Sequence, residues 1–284
     1  MARPTAVCLT LVCAIVSCLA FPQTIKVNVD LVSIFATVKD AEGRFVTDLT
    51  QNDFRVYNDD RLQDVEIFER QDVNSSIGIL MDSSGSMVDI MPFMKTGVRD
   101  FTRRISRPNE FFVASFSTNV ELLHNSSQSQ KHLEETMETL RSFGTSVMYD
   151  ALLYGMNRVQ YSKQPRKALI MFTDGTDNGS TGNYSGVVRA AQQSGVLLYF
   201  VAIGSRILID ANTLDSLAEL SGGRALYVKK GEPIFPLLDE IQSELSKQYY
   251  IGFYAPRQTG LHHLHVEVPG RNLRVRAKTG YFVE

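Results

Sequence analysis

Four near-continuous apolar runs, Ile77 to Met81, Phe111 to Phe116, Ala168 to Phe172 and Val196 to Ile203, recur through the middle of the chain. Runs of this length without polar alternation suit strands covered on both faces, the condition of a mainly parallel sheet. Around them lie stretches with helical spacing: Val88 to Ile105, Lys131 to Ser142, Met148 to Gln160, Tyr184 to Ser194, Ala211 to Leu220 and Pro233 to Gln248. Strand then helix, repeated, predicts an α/β fold: a doubly wound, mainly parallel sheet flanked by helices.

The flanks are β-like. Ile25, Val27 and Val29 alternate, Leu31 to Val38 is rich in Val, Ile and Thr, and Asp40 to Gly43 reads as a turn. Asn58-Asp59-Asp60 marks a second turn between two short strands. After Gln248 the pattern returns in "YYIGFYAP", "HHLHVEVP" and "LRVRAKTGYFVE". Neither flank is long, so the two are expected to pack as one small β-domain with the α/β domain inserted between them, its ends close together. The expected organisation is a leader over residues 1–20, an N-terminal β segment over 21–75, the α/β domain over 76–248 and a C-terminal β segment over 249–284.

The leader rests on Arg3 followed by an apolar run from Ala6 to Leu19 and small residues closing at Ala20, the layout of a secretory signal peptide. That run is too short for a membrane span, and no later segment is long and apolar enough to be one. Cleavage after Ala20 removes Arg3, taking the net charge from -2 to -3, and removes all three cysteines, Cys8, Cys13 and Cys18. No disulfide or cysteine-based metal site is then possible. Ile15-Val16-Ser17-Cys18 also resembles a bacterial lipoprotein box that would anchor the chain at Cys18. Plain export to the medium, periplasm or cell envelope fits better, because Val16 and Ser17 are only passable matches. The basic residues are scattered, which argues against nucleic acid as a partner.

In open α/β sheets ligands bind outside the carboxyl ends of the strands. The run Ile79 to Met81 ends there in Asp82-Ser83-Ser84-Gly85-Ser86, so Asp82, Ser84 and Ser86 form a D-x-S-x-S pattern whose alternate side chains converge as the chain turns. One carboxylate and two hydroxyls make an oxygen-only environment suited to Mg²⁺, Mn²⁺ or Ca²⁺ rather than zinc or copper. Taken alone, the pattern reads equally as a capped turn. Two further loops raise it: Thr145 stands in a glycine-containing loop before a helix, and Thr173-Asp174-Gly175 ends another buried run.

This trio of loops resembles the von Willebrand factor type A domain over roughly Ser76 to Gln248, with the family's motifs in order and at its spacing. "LTQNDFRVYNDDRLQDVEIFE" and the segments from "YYIGFYAP" to "VRAKTGYF" look like the flanks of a secreted bacterial group of related proteins, known mainly from acidobacteria. The resemblance implies a Rossmann-like α/β fold and a metal-ion-dependent adhesion site. In it Ser84, Ser86 and Thr145 bind a divalent cation, Mg²⁺ foremost, through their hydroxyls. Asp82 and Asp174 sit in the inner shell or act largely through water. One coordination position stays open for an acidic side chain of a protein partner. Asp177 is left outside the site as part of a polar loop.

Other polar groups have plainer readings. His263 and His265 share a strand face, but two imidazoles without a nearby carboxylate or cysteine make a poor zinc site. His262, like them, is read as a surface or half-buried strand histidine; His124 and His132 are isolated. Asn74, Asn125, Asn178 and Asn183 open Asn-x-Ser patterns that arise often by chance. No histidine lies in or beside the serine motif to activate a nucleophile, and neither a phosphate-binding loop nor a dinucleotide fingerprint is present. The expectation is therefore a secreted or envelope-associated cation-dependent binding module and not an enzyme. The rivals are a metal-assisted hydrolase and a structural envelope protein whose site holds no ion.

Overall fold

The computed structural model describes residues 29–70, 73–105, 109–204 and 209–284; the expected leader and the alternation at Ile25 and Val27 lie outside the described residues. The first β segment supplies β1 (Val29–Lys39), β2 (Arg55–Asn58), β3 (Arg61–Gln63) and β4 (Ile67–Arg70). The middle of the chain runs β5 (Ser75–Asp82), α1 (Met91–Arg104), β6 (Glu110–Phe116), β7 (Val120–Asn125), α2 (Gln130–Thr139), α3 (Met148–Gln160), β8 (Arg166–Thr173) and α4 (Tyr184–Ser194). It continues through β9 (Leu197–Ile203), α5 (Ala211–Ser221), β10 (Arg224–Val228) and α6 (Phe235–Lys247). Then come β11 (Tyr249–Pro256), β12 (Gly260–Glu267), β13 (Arg274–Arg276) and β14 (Gly280–Val283).

The central sheet has the order β10-β9-β8-β5-β6-β7, parallel except for β7. Along β5 the pleat sends Ile77, Ile79 and Met81 into a core shared with Met94, Val98, Leu133, Leu238 and Ile241 of α1, α2 and α6. Leu80 points the other way, into a core with Ala151, Leu152, Val187, Leu214 and Leu217 of α3, α4 and α5. With both faces covered, no position in β5 can be polar without a partner, which explains the unbroken apolar run. Burying each such side chain contributes about 1.5–3 kcal/mol.

The flanking segments interleave as two antiparallel four-stranded sheets, β13-β1-β11-β4 and β14-β12-β2-β3. Their facing sides enclose a third core of Ile34, Ala36, Val56, Ile251, Phe253 and Val266. The opposite side of β1 and β11 presents Phe35 and Tyr250 to the core under α1 and α6, so the first sheet is shared between the sandwich and the α/β block. Tyr249 and Arg70 are register partners, placing the chain's passage into the block beside its return. At this junction Arg166, the first residue of β8, donates to the Val73 carbonyl at 2.8 Å and lies over the Phe35 ring. The sandwich thus meets the α/β block at the amino ends of β5 and β8, opposite the ends at which Asp82 and Thr173 stand. Among the described residues no helix is long and apolar enough to cross a membrane.

Two helices begin later than their apolar spacing predicts. α1 starts at Met91, not Val88, with Pro92 in its first turn, and Gly85–Met87 forms a separate 3-10 turn before it. α6 starts at Phe235, not Pro233, with Pro236 in its first turn. Proline lacks the N–H that an inner turn needs, so both helices start beside theirs.

Candidate metal centre

β5 is the pivot of the central sheet: the chain runs outward from it to β6 on one side and returns to β8 on the other. The carboxyl ends of β5 and β8 are therefore the topological switch point, where an open α/β sheet leaves a crevice. Asp82 ends β5 and Thr173 ends β8, one step beyond the paired Met81 and Phe172.

Asp82 is fully buried. Its Oδ1 accepts the Ser84 backbone N–H at 2.9 Å. Its Oδ2 accepts the Thr173 hydroxyl at 2.9 Å and the Ser146 hydroxyl at 3.3 Å. Thr173 Oγ1 in turn accepts the Gly175 N–H at 3.0 Å, which fixes the direction in which it donates. Burial pushes the Asp82 carboxyl up to about 6 against the hydrogen bonds from Ser84 and Thr173, and the nearby Asp174 charge acts in the same upward direction. Such a carboxylate is held in one orientation, and a neighbouring cation would stabilise its ionised form.

Above it, the Ser84 and Ser86 hydroxyls lie 3.1 Å apart, Ser84 buried and Ser86 exposed. Adjacent ligands of an octahedral ion at about 2.1 Å stand about 3.0 Å from one another, so the serine pair has the spacing of two such positions. Among the described residues no group of three or more His, Cys, Asp or Glu side chains is placed to hold a metal ion. A cation here would therefore rely on hydroxyls, and the donor set fits a small hard ion.

The other loops are tied to this one through their backbones. Gly85 N–H donates to the Gly144 carbonyl at 3.1 Å, and Phe143 N–H to the Ser83 carbonyl at 2.9 Å. Asn178 and Ser146 exchange two hydrogen bonds, linking the loop before α3 to the loop after β8. Asp150 on α3 accepts the N–H groups of Thr181 and Gly182, and these bonds hold its carboxyl below the ordinary range although burial works against them.

Asp174 is half-buried, and its Oδ1 caps the turn at Thr176 N–H, 3.1 Å away. Gly175 beside it has φ +80°, a left-handed conformation suited to glycine. Thr145 is exposed; among the described residues its hydroxyl makes no hydrogen bond to the other four, and Ser146 carries the bond from its loop to Asp82. Instead Thr145 Oγ1 faces Gly179, where an added Cβ would stand only 2.8 Å from it. Asp177 accepts the Ser180 N–H at 3.2 Å, a turn-holding role that suits a polar loop.

Sequence reasoning missed Thr173 and Ser146, the two hydroxyls that hold Asp82 Oδ2. The signal for Thr173 was present: a polar residue closing an apolar run beside the one that Asp82 closes.

The doubly wound sheet, with its oxygen-rich loops at the switch point, defines a Rossmann-like α/β domain. The family model for the von Willebrand factor type A domain matches residues 76–242, and the chain belongs to that family. Members of this family often mediate metal-dependent protein binding, and they commonly bind a divalent cation.

Solved structures share the fold at low identity. A von Willebrand factor type A protein from Catenulispora acidiphila has a TM-score of 0.55 at 12% identity, over 90% of this chain and 75% of that one. An aerotolerance-related membrane protein from Bacteroides fragilis reaches a TM-score of 0.50 at 14% identity, over 61% of this chain and 98% of that one. The conserved hypothetical protein BatB from Bacteroides thetaiotaomicron gives the same TM-score of 0.50 at 14% identity, also over 61% and 98%. No curated protein matches the chain.

Proposed function

We propose that this is a cation-dependent protein-binding module acting outside the cytoplasm, secreted or held at the cell envelope. The observation that carries the reading is Asp82: a fully buried carboxylate, oriented by three donors, directly preceding a serine pair spaced as two ligands of one ion. Ser84, Ser86 and Thr145 would hold the ion through their hydroxyls, with Mg²⁺ the favoured occupant and Mn²⁺ or Ca²⁺ its substitutes. When bound, the cation supplies an electrophilic position for an acidic side chain of the partner.

Asp82 and Asp174 set the charge and direction of the hydroxyls. Thr173 and Ser146 keep Asp82 from turning away, and the bonds from Gly85 and Phe143 hold the Ser84 and Thr145 loops at a fixed separation. The reading is of a binder and not a catalyst. It is supported by carboxylates committed to orienting hydroxyls and backbone amides, which leaves them poor proton shuttles. Export through the leader, by cleavage after Ala20 or anchoring at Cys18, and membership of the acidobacterial-type secreted group belong to the same proposal.

Isothermal titration with MgCl₂ and MnCl₂ tests it. The wild-type chain should take up one ion, and Asp82→Ala or Thr145→Ala should lower the affinity about tenfold or more with the circular dichroism spectrum kept. Unchanged affinity in both variants would remove the assignment. Turnover of phosphoester or peptide substrates that disappears in chelator would favour the hydrolase.

A further inference from the structure

A groove of about 510 Å³ runs down from the loops of the candidate metal centre, between α1 and the segment that follows α2. Val88 and Ser142 line its upper end, two residues past Ser86 and three before Thr145. Among the described residues Val88 is 54% exposed and the neighbouring Phe143 59% exposed, an apolar rim beside the centre.

Lower down, the walls carry Lys95, Arg99 and Arg141 against the single carboxylate of Glu138. Arg99 pairs with Glu138 at 3.0 Å. Lys95 Nζ donates to the Leu140 carbonyl at 2.9 Å, and Arg141 Nη1 donates to the carbonyls of Glu138 and Leu140. Neither Lys95 nor Arg141 forms an ion pair among the described residues, and Glu138 acts on Lys95 only from beyond ion-pair distance, so three cations face one carboxylate along the groove. Burial lowers the Lys95 ammonium, and the charges of Arg141 and Arg99 lower it further against the opposing pull of Glu138, as expected where like charges outnumber unlike ones.

We infer that this groove is a second subsite, taking an acidic peptide segment of a protein partner that continues from the carboxylate received at the cation. The inference rests on the cation reading for its starting point. Apolar contact at Val88 and Phe143 bridges the two subsites, and the partner's further carboxylates meet Lys95 and Arg141. Charge complementarity of this kind fixes register and speeds association.

The test uses the full chain and fluorescein-labelled hexaglutamate, with hexaglutamine as control, in Mg²⁺ and in EDTA. Hexaglutamate should bind the wild-type chain more tightly than hexaglutamine. Chelation should weaken that binding and leave a salt-sensitive remainder. The double variant Lys95→Gln/Arg141→Gln, checked by circular dichroism and melting, should lose the remainder and bind about tenfold more weakly in Mg²⁺.

The groove assignment is overturned if that folded variant binds hexaglutamate like the wild type, or if the wild type shows no binding up to about 1 mM in low salt. It is also overturned if phosphatidylcholine–phosphatidylglycerol vesicles bind through the same two residues more tightly than the peptide, which would make the surface one for lipid. The two readings separate in the EDTA arm. Loss in the variant with no effect of chelation removes the cation and keeps the groove, whereas complete loss in EDTA with a neutral variant does the reverse.

Discussion

Ionising Asp82 inside the protein is unfavourable, and the three donors around it offset part of that cost. Thr173→Val removes one donor while keeping the side chain's shape. It should lower Mg²⁺ affinity about fivefold in a titration, because a net hydrogen bond contributes about 1 kcal/mol; affinity equal to wild type would show that Asp82 needs no such support. His262 illustrates a different buried charge, at the far end of the molecule. Its Nδ1 lies 2.7 Å from Asp59 Oδ2 and its Nε2 lies 2.7 Å from the Gln258 carbonyl, so both nitrogens face acceptors and the doubly protonated ring fits. Burial works against that charge, but the bonds to Gln258 and Asp59 outweigh it and raise the His262 pKa above 6.5, while the Asp59 carboxyl is lowered below 3.8 by the His263 N–H and the His262 ring. The pair's contribution is complete below 6.5 on the histidine side and is lost as pH rises through the raised His262 value. It is lost on the acid side as pH falls through the lowered Asp59 value. Urea unfolding should show His262→Gln erasing about 1 kcal/mol of the stability difference between pH 6 and pH 8; an unchanged pH profile would contradict the pairing. The D-x-S-x-S pattern made it legible that Asp82, Ser84 and Ser86 turn together off β5, whereas Thr145 and Asp174 were read as ligands from residue type and resemblance, and among the described residues no hydrogen bond joins either to the serines. Thr173 could have been read from its place at the end of an apolar run, but Ser146 could not, since its partner Asp82 closes a distant strand. His262 was taken for a surface or half-buried strand residue because nothing local marks Asp59 as its partner.

At the level of elements, the helical spacing of Met148 to Gln160 and Tyr184 to Ser194 coincides with α3 and α4. Each has a full apolar stripe, and Asn183 caps α4 by accepting the Gly186 N–H at 2.9 Å. The edge strands β7 and β10 escaped the sequence reading. β7 mixes exposed Glu121 and Leu122 with buried Leu123 and His124, and β10 spans only Arg224–Val228, so neither shows a clear period. The loop after β8 holds its shape through Asp150 on α3, whose carboxylate receives the Thr181 and Gly182 amides at 2.9 and 2.8 Å. Asp150→Ala should speed amide hydrogen exchange at Thr181 and Gly182 about tenfold while leaving β8 protected. Unaltered exchange at both amides would mean that the loop is held by something else.

Over the whole molecule, the sandwich and the α/β block meet around Glu244 of α6, which is 1% exposed. Glu244 receives the Tyr199 hydroxyl of β9 at 2.7 Å and the Arg276 guanidinium of β13, so one carboxylate joins a central strand, a helix and a flanking sheet. Arg276→Met would leave that buried charge short of its cation, and chemical unfolding should find the chain destabilised by about 3 kcal/mol. A difference within about 0.5 kcal/mol would show that the hub contributes little. The doubly wound block was readable because its strands and helices repeat along the chain. The partition of the flanks into two sheets was not, because β1 pairs with β11 across more than two hundred residues and no local pattern encodes that match. The sandwich meets the α/β block at the amino ends of β5 and β8, at the opposite end from the loops proposed to gather around one hard cation. The direct measurement is anomalous diffraction from crystals of the full chain grown with Mn²⁺. A single peak is expected within about 2.5 Å of the Ser84, Ser86 and Thr145 hydroxyl oxygens. A peak elsewhere, or none at those loops with Mn²⁺ in excess, would contradict the proposed site.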